Sequence, residues 1–194
     1  MNRNLPQRVN GASPTQPPKI RSKLGKYRIR RRIGAGAFAT VYEAYDTIEG
    51  IRVALKIPHG EQLDKDSMDL IHREVRLTAR LDHENILPLR NAMMIDGYFV
   101  IATPLGEQTL TDRLHYRLGA KTALSYTAQL LDALAYAHEE RVIHCDIKPD
   151  NVILFPHAHV RLADFGIAKV SLRTRTIMGS GQGTVGYIAP EQAM

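Results

Sequence analysis

A single cysteine, Cys145, among 194 residues excludes an internal disulfide and fits a reducing compartment. No run is long and apolar enough to span a bilayer. The N-terminus lacks the apolar core of a secretory signal. A cytoplasmic protein is expected on these grounds. Charge is not balanced: the formal net charge is +6 and the isoelectric point is about 9.5. Part of the excess is local, since Arg3, Arg8, Lys19, Arg21, Lys23 and Lys26 precede the first patterned segment and Arg28, Arg30, Arg31 and Arg32 follow at once. Such an arm can bind nucleic acid or an anionic surface. It has no interleaved aromatics on which bases could stack. A solvated tail is the expectation, with no nucleic-acid partner. The whole chain, 44% hydrophobic and 24% charged, has the composition of a soluble globular protein of one domain or two small lobes.

Residues 1–25 hold Pro6, Pro14, Pro17 and Pro18 with few apolar residues and are expected to be a disordered basic arm. From Tyr27 the pattern changes. Tyr27, Ile29 and Ile33 alternate with arginines, as on a half-buried strand. Val41, Tyr42, Ala44 and Tyr45 suggest a second strand, and Arg52 to Ile57 a third, stopped by Pro58. Residues 66–81 read as a helix with Leu70, Leu77 and Leu81 on one stripe and Ile71 and Val75 beside it. Short strands are expected near Ala92 to Met94 and Tyr98 to Thr103. A long helix is expected from Thr122 to Glu139, burying Leu124, Leu131 and Leu134. There is no internal repeat. Strands, one helix, strands, then a helix make an α+β lobe joined to the start of a helical lobe.

Gly34-Ala35-Gly36-Ala37-Phe38-Ala39-Thr40-Val41 lies between the first two strands. Glycines there let main-chain N–H groups approach phosphate oxygens, although a Gly-rich hairpin alone is usually only a tight turn. A strand after the glycines argues against a dinucleotide fold, which places a helix there. Glu74 interrupts the apolar stripe of its helix, and a carboxylate aimed at a core needs a cation. Lys56, in Val53-Ala54-Leu55-Lys56, is a suitable partner. Taken singly, Lys56 is equally a solvated lysine at a strand end, and Glu74 a surface glutamate. The densest cluster is His144-Cys145-Asp146-Ile147-Lys148-Pro149-Asp150-Asn151, followed by Asp164-Phe165-Gly166. It supplies a candidate base, a lysine, an amide and a carboxylate suited to magnesium. Phosphoryl transfer needs such a set, to orient the nucleophile and offset developing negative charge. For any one of these residues the plain alternative is a loop residue capping a turn.

Together these motifs resemble the catalytic domain of eukaryotic-type (Hanks-type) serine/threonine protein kinases, from Tyr27 to Met194. The resemblance implies an antiparallel small lobe with one regulatory helix (residues 26–103), then a hinge and partial large lobe (residues 104–194). It implies ATP and Mg²⁺ as cofactors and a protein substrate with a Ser/Thr acceptor. Asp146 would orient the acceptor hydroxyl and Lys148 would steady the γ-phosphate. Asn151 and Asp164 would hold the metal. Lys56, paired with Glu74, would contact the α- and β-phosphates. Ile33, Gly34, Ala35, Gly36, Val41, Ala54 and Ile153 would enclose the nucleotide. Tyr98 to Leu105 resembles the last small-lobe strand and the hinge, with main-chain groups of Thr103 and Leu105 on the adenine edge. Ala102 would fall beside the nucleotide and open a deep back pocket. His144 would be structural, supporting the loop beneath Phe165. Lys148 two residues after Asp146 resembles serine/threonine rather than tyrosine kinases. So does Gly183 to Glu191, the end of an activation segment that contains Ser171, Thr174, Thr176 and Ser180 as possible phosphosites.

The chain departs from the pattern at three places. Ala39 stands at the third glycine. Cys145, expected to be a small buried residue, replaces the arginine that clamps a phosphorylated loop, so activity should depend less on loop phosphorylation. The resemblance stops shortly after Glu191, so a catalytic domain truncated after that motif is expected, with apolar surface of the 122–139 helix exposed. Two functions follow: a protein serine/threonine kinase, or a truncated kinase-like module that binds nucleotide or a partner without transfer. Small-molecule phosphotransfer on the same fold is a weaker third.

Overall fold

A computed structural model describes residues 17–36, 38–59, 65–165 and Tyr187. Ala37, Gly166, the 171–180 hydroxyls and the Thr184 to Glu191 segment apart from Tyr187 lie outside the described residues.

Six strands form one antiparallel sheet: β1 (Lys23–Leu24), β2 (Tyr27–Ala35), β3 (Ala39–Asp46), β4 (Ile51–Pro58), β5 (Asn91–Ile95) and β6 (Tyr98–Pro104). Their order across the sheet is β1-β2-β3-β4-β6-β5. The sheet begins inside the stretch expected to be an arm. Lys23 and Leu24 pair with Arg28 and Tyr27, and Leu24 is buried in the core. One apolar residue that finds a core is enough to order a two-residue strand beside a hairpin.

In β4 the alternation is clean. Val53, Leu55 and Ile57 are buried, whereas Ala54 and Lys56 stand on the other face. The first three pack with Leu24, Tyr27, Ile29, Tyr42, Ala44, Val100 and Ala102 into the small-lobe core. In β2 alternation ends after Ile29, where register shifts against β3 between Ile29 and Arg31 and between Arg32 and Gly34. Ile33 falls in the second irregularity and is 38% exposed, rather than half-buried in step with Tyr27 and Ile29.

Helix α1 (Lys65–Thr78) connects β4 to β5 of the same sheet and stops before Leu81, which is buried beyond its end. A second core holds Leu81, Ile86, Tyr126, Ala133, Ala137, Val152, Leu154, Val160, Leu162 and Phe165. It is built on α3 (Ala120–Glu139) and on a three-stranded sheet of β7 (Gln108–Thr109), β8 (Val152–Phe155) and β9 (His159–Leu162). The β8–β9 hairpin lies between Asp146 and Asp164. Helix α2 (Leu110–Leu114) starts with a capping box, Thr109 Oγ1 accepting from the Asp112 N–H while Asp112 accepts from the Thr109 N–H.

Two expected core positions on α3 are not core. Leu124 is 71% exposed and Leu131 61% exposed. The helix buries Tyr126, Ala133 and Ala137 instead, with Leu130 and Leu134 packed at the margin. Small residues let β9 approach closely, while Leu124 and Leu131 lie on the opposite, uncovered side. The sequence pattern is apolar on more than one face, and only packing tells them apart.

Candidate functional site

The site lies between the two cores, and its upper wall follows from strand register. Val41 pairs with Lys56, Glu43 with Ala54, and Lys56 with Ile101. Directly opposed residues share a face, so Val41, Ala54, Lys56, Ile101 and Thr103 share one face. Ala102 opposes Leu55 and is buried in the small-lobe core. The expectation that Ala102 falls beside the nucleotide and opens a deep back pocket is therefore overturned: Ile101 and Thr103, not Ala102, share the face of Lys56. A one-residue slip of register exchanges the two faces, and register between distant strands is not written in local pattern.

Lys56 is held by two carboxylates. Its Nζ lies 2.6 Å from Asp164 Oδ1 and 3.8 Å from Glu74 Oε1. The first is a charge-assisted hydrogen bond, and the second is too long for one. Burial opposes the Lys56 charge, but Asp164 and Glu74 outweigh it and its pKa is raised. Burial pushes Glu74 up to about 8, with Lys56 acting against the rise. Glu74 is thus mostly protonated near neutrality in this arrangement, and Asp164 carries the ion pair.

The catalytic-loop residues also converge. Asn151 Nδ2 donates to the Asp146 main-chain oxygen at 2.8 Å and to Asp146 Oδ2 at 3.0 Å. Lys148 Nζ lies 2.8 Å from the same Oδ2. Asp146 remains 40% exposed, open to an incoming group. The Ala163 N–H donates to the Asn151 carbonyl at 2.8 Å, which fixes the approach of Asp164 to this loop. His144 is fully buried: Nδ1 accepts from the Asp146 N–H at 3.2 Å, so Nε2–H donates to the Ala163 carbonyl at 2.8 Å. Its ring meets Phe165 edge-on at 4.6 Å, and burial lowers its pKa. The histidine is a structural post, as its motif position suggested. Cys145 and Asp164 both take φ of 63°, a left-handed conformation that costs non-glycine residues free energy and is common where a site dictates the backbone. Cys145 is half-buried, not buried: Sγ points to the Ile143 carbonyl at 3.7 Å.

Glycine positions divide into two kinds. At Gly34 an added Cβ would meet only Val41, at 3.7 Å, and at Gly36 only the Ala39 carbonyl, at 3.8 Å. Neither has a positive φ, so the protein's own packing does not require glycine there. Open main chain above a cleft suits a ligand's close approach. Gly106 is different. Its Cβ would lie 2.3 Å from Ile153 Cγ2 and 2.8 Å from the Leu154 carbonyl. That glycine, which sequence reasoning passed over, is what lets the connection after β6 press against β8. Val41, Ala54, Thr103, Leu105 and Ile153 are all half-buried.

The donor set fits Mg²⁺. Asn151 spends its amide nitrogen on Asp146, which leaves its carbonyl oxygen, and Asp164 has a second carboxylate oxygen besides the one on Lys56. Among the described residues no cluster of three His, Cys, Asp or Glu could hold a metal alone. Mg²⁺ commonly takes one or two protein oxygens together with substrate phosphates. Among the described residues no helix is long and apolar enough to cross a membrane.

Comparison with known proteins agrees with this geometry. The family model "Protein kinase domain" matches residues 27–193. The chain is 32% identical over 186 residues to serine/threonine-protein kinase PknH of Mycobacterium bovis, covering 93% of this chain and 31% of that protein. It is 34% identical over 174 residues to serine/threonine-protein kinase PrkC of Bacillus subtilis, covering 87% of this chain and 27% of PrkC. It is also 34% identical to mouse Aurora kinase C over 174 residues, 87% of this chain and 62% of the relative. The chain thus spans about a third of the length of the bacterial relatives. Among solved structures, the kinase domain of Mycobacterium tuberculosis PknI matches with a TM-score of 0.64 and 28% identity, covering 78% of this chain and 64% of that one.

Proposed function

The chain belongs to the protein kinase domain family, and on that premise we propose that it is an ATP- and Mg²⁺-dependent protein kinase acting on serine and threonine hydroxyls. The observation that carries the reading is the convergence of Lys56 with Asp164, and of Lys148 and Asn151 with Asp146, in ion pairs and hydrogen bonds drawn from β4 and the loops flanking β8 and β9, with Glu74 of α1 3.8 Å from Lys56.

Asp146, positioned by Asn151 and backed by His144, orients the acceptor hydroxyl and takes its proton. Lys148 steadies the transferred phosphoryl group, and Lys56 leaves Asp164 for the α- and β-phosphates as nucleotide enters. Asn151 Oδ1 and Asp164 would hold Mg²⁺, which would supply charge neutralisation along the phosphates. Ile33, Gly34, Ala35, Gly36 and Val41 cover the nucleotide from above. Ala54 and Ile153 face the adenine from opposite sides, and main-chain groups of Thr103 and Leu105 read its edge. We assign residues 26–103 to the small lobe and 104–194 to hinge and large lobe. A cytoplasmic location fits the single cysteine.

Transfer of radiolabelled phosphate from ATP–Mg²⁺ to a generic basic protein tests this. Asp146→Asn and Asp164→Ala should each lower incorporation by at least a hundredfold. Equal signal in the parent and Asp164→Ala chains would sink the kinase reading. The exposed Leu124 and Leu131 favour a second reading, a module that binds nucleotide without transferring it, because both leucines of this α3 face stand open to solvent. Thermal stabilisation by ATP–Mg²⁺ without incorporation would select that alternative.

A further inference from the structure

Strand β4 ends in Pro58, opposite Ala39 at the start of β3. Proline has no N–H to donate to the glycine-rich turn. The next residue supplies the missing contact twice. The His59 N–H donates to the Phe38 carbonyl at 2.9 Å, and His59 Nε2 lies 3.0 Å from Thr40 Oγ1. Thr40 is only 8% exposed, so its hydroxyl is satisfied by His59, with the Tyr42 hydroxyl as a second neighbour, rather than by bulk water. Phe38, at the tip, is 49% exposed and contributes no apolar anchor. Within the turn the Gly36 N–H donates to the Ala39 carbonyl at 2.9 Å. His59 therefore ties the turn to the strand that carries Lys56, three residues earlier in sequence.

We propose that His59 is a positioning residue that sets the height of the glycine-rich turn over the phosphate-binding lysine, a proposal that rests on the nucleotide-binding reading above. Thr40 can donate to a bare Nε2 or accept from a protonated one, so either ring tautomer maintains the tether. Ala39, where the family pattern has a third glycine, removes some freedom from the turn, and the tether removes more. The turn is pre-set rather than closed by ligand, and part of the affinity for phosphates comes from that pre-organisation.

The test uses the 194-residue chain and its His59→Ala, Thr40→Val and His59→Gln variants. The glutamine side chain of the third variant can present its amide nitrogen near the place of Nε2. Two readouts are needed: hydrogen exchange of the 34–41 amides without nucleotide, and calorimetric affinity for ATP–Mg²⁺ and for adenosine. His59→Ala and Thr40→Val should each speed exchange in 34–41 and weaken ATP–Mg²⁺ by about 2- to 10-fold. Adenosine affinity should stay unchanged, and His59→Gln should recover at least half the loss. The double variant should be no weaker than Thr40→Val alone, because that substitution already removes the bond to His59. Unchanged exchange and unchanged ATP–Mg²⁺ affinity in His59→Ala would overturn the proposal. An equal loss for adenosine would also overturn it, since the histidine would then act on the whole lobe rather than on phosphate. A parent chain that binds adenosine but gains nothing from phosphates would overturn this proposal together with the kinase reading. A parent that binds ATP–Mg²⁺ no more tightly than its His59→Ala variant would overturn this proposal alone.

Discussion

Replacing Gly106 with alanine would place a methyl group 2.3 Å from Ile153 Cγ2 and 2.8 Å from the Leu154 carbonyl. Ordinary carbon contacts begin near 3.5 Å, so the segment after β6 must retreat by about 1 Å. Retreat also stretches the 2.8 Å bond from the Glu107 N–H to the Leu154 carbonyl, which pins this segment to β8. Ile153 can turn aside, but a main-chain oxygen cannot. Overpacking of this kind costs about 2 kcal/mol, or about 4–8 °C in Tm for a chain of this size. Gly34→Ala is the control. Its methyl group meets only Val41 at 3.7 Å, an ordinary contact, so the fold should change by less than about 0.5 kcal/mol. Binding should show the opposite contrast. Gly34→Ala should weaken ATP–Mg²⁺ while sparing adenosine, whereas Gly106→Ala should weaken both, because it moves the adenine wall. Combining Gly106→Ala with Ile153→Ala should restore only part of the stability, since the Leu154 carbonyl stays in place. Urea denaturation followed by circular dichroism, with nucleotide titrations, reads all of these variants. The reasoning is refuted if Gly106→Ala is as stable as the parent, or if Gly34→Ala loses as much.

Three further outcomes follow from the same geometry. Glu74, at about 8 in the folded chain against an ordinary 4.5, keeps a proton that the unfolded chain releases between those values. Stability should therefore fall as pH rises from about 5 to 8, by an amount on the order of 3 kcal/mol. Glu74→Gln should flatten that dependence in urea titrations at pH 5.5 and 8.0; parallel curves for both proteins would contradict it. His144→Ala removes the bond to the Ala163 carbonyl, the ring against Phe165 and the acceptor for the Asp146 N–H. It should cost about 2–4 kcal/mol and also depress phosphate transfer, measured by thermal denaturation and the radiolabel assay. Leu124→Gln with Leu131→Gln should leave stability within about 0.5 kcal/mol and reduce light scattering on concentration, because both side chains already face solvent. A large loss of stability would mean that this face of α3 is packed after all.

Much of the site was legible because its chemistry is written in short range. Asp146, Lys148 and Asn151 lie within one loop, and a loop of that length can bring all three to one point. The strand carrying Lys56 shows its faces by simple alternation of Val53, Leu55 and Ile57 with Ala54 and Lys56. Glu74 betrayed itself as a charge in an apolar stripe. Other features left no such trace. Lys23 and Leu24 looked like arm because two residues carry no period, yet one buried leucine orders them. Leu124 and Leu131 looked like core because an apolar residue on a helix does not say which face a neighbour will cover.

Composition and local pattern determined the class of this protein, the chemistry of its loop and the identity of its charged residues, since charge, turn geometry and alternation are properties of neighbours in sequence. Tertiary structure alone decided which side of β6 faces Lys56, that Gly106 is a packing glycine whereas Gly34 and Gly36 are not, and that His59 reaches Thr40. Each of these depends on the register or separation of strands that meet only after the chain has folded, and a slip of one residue would reverse the answer.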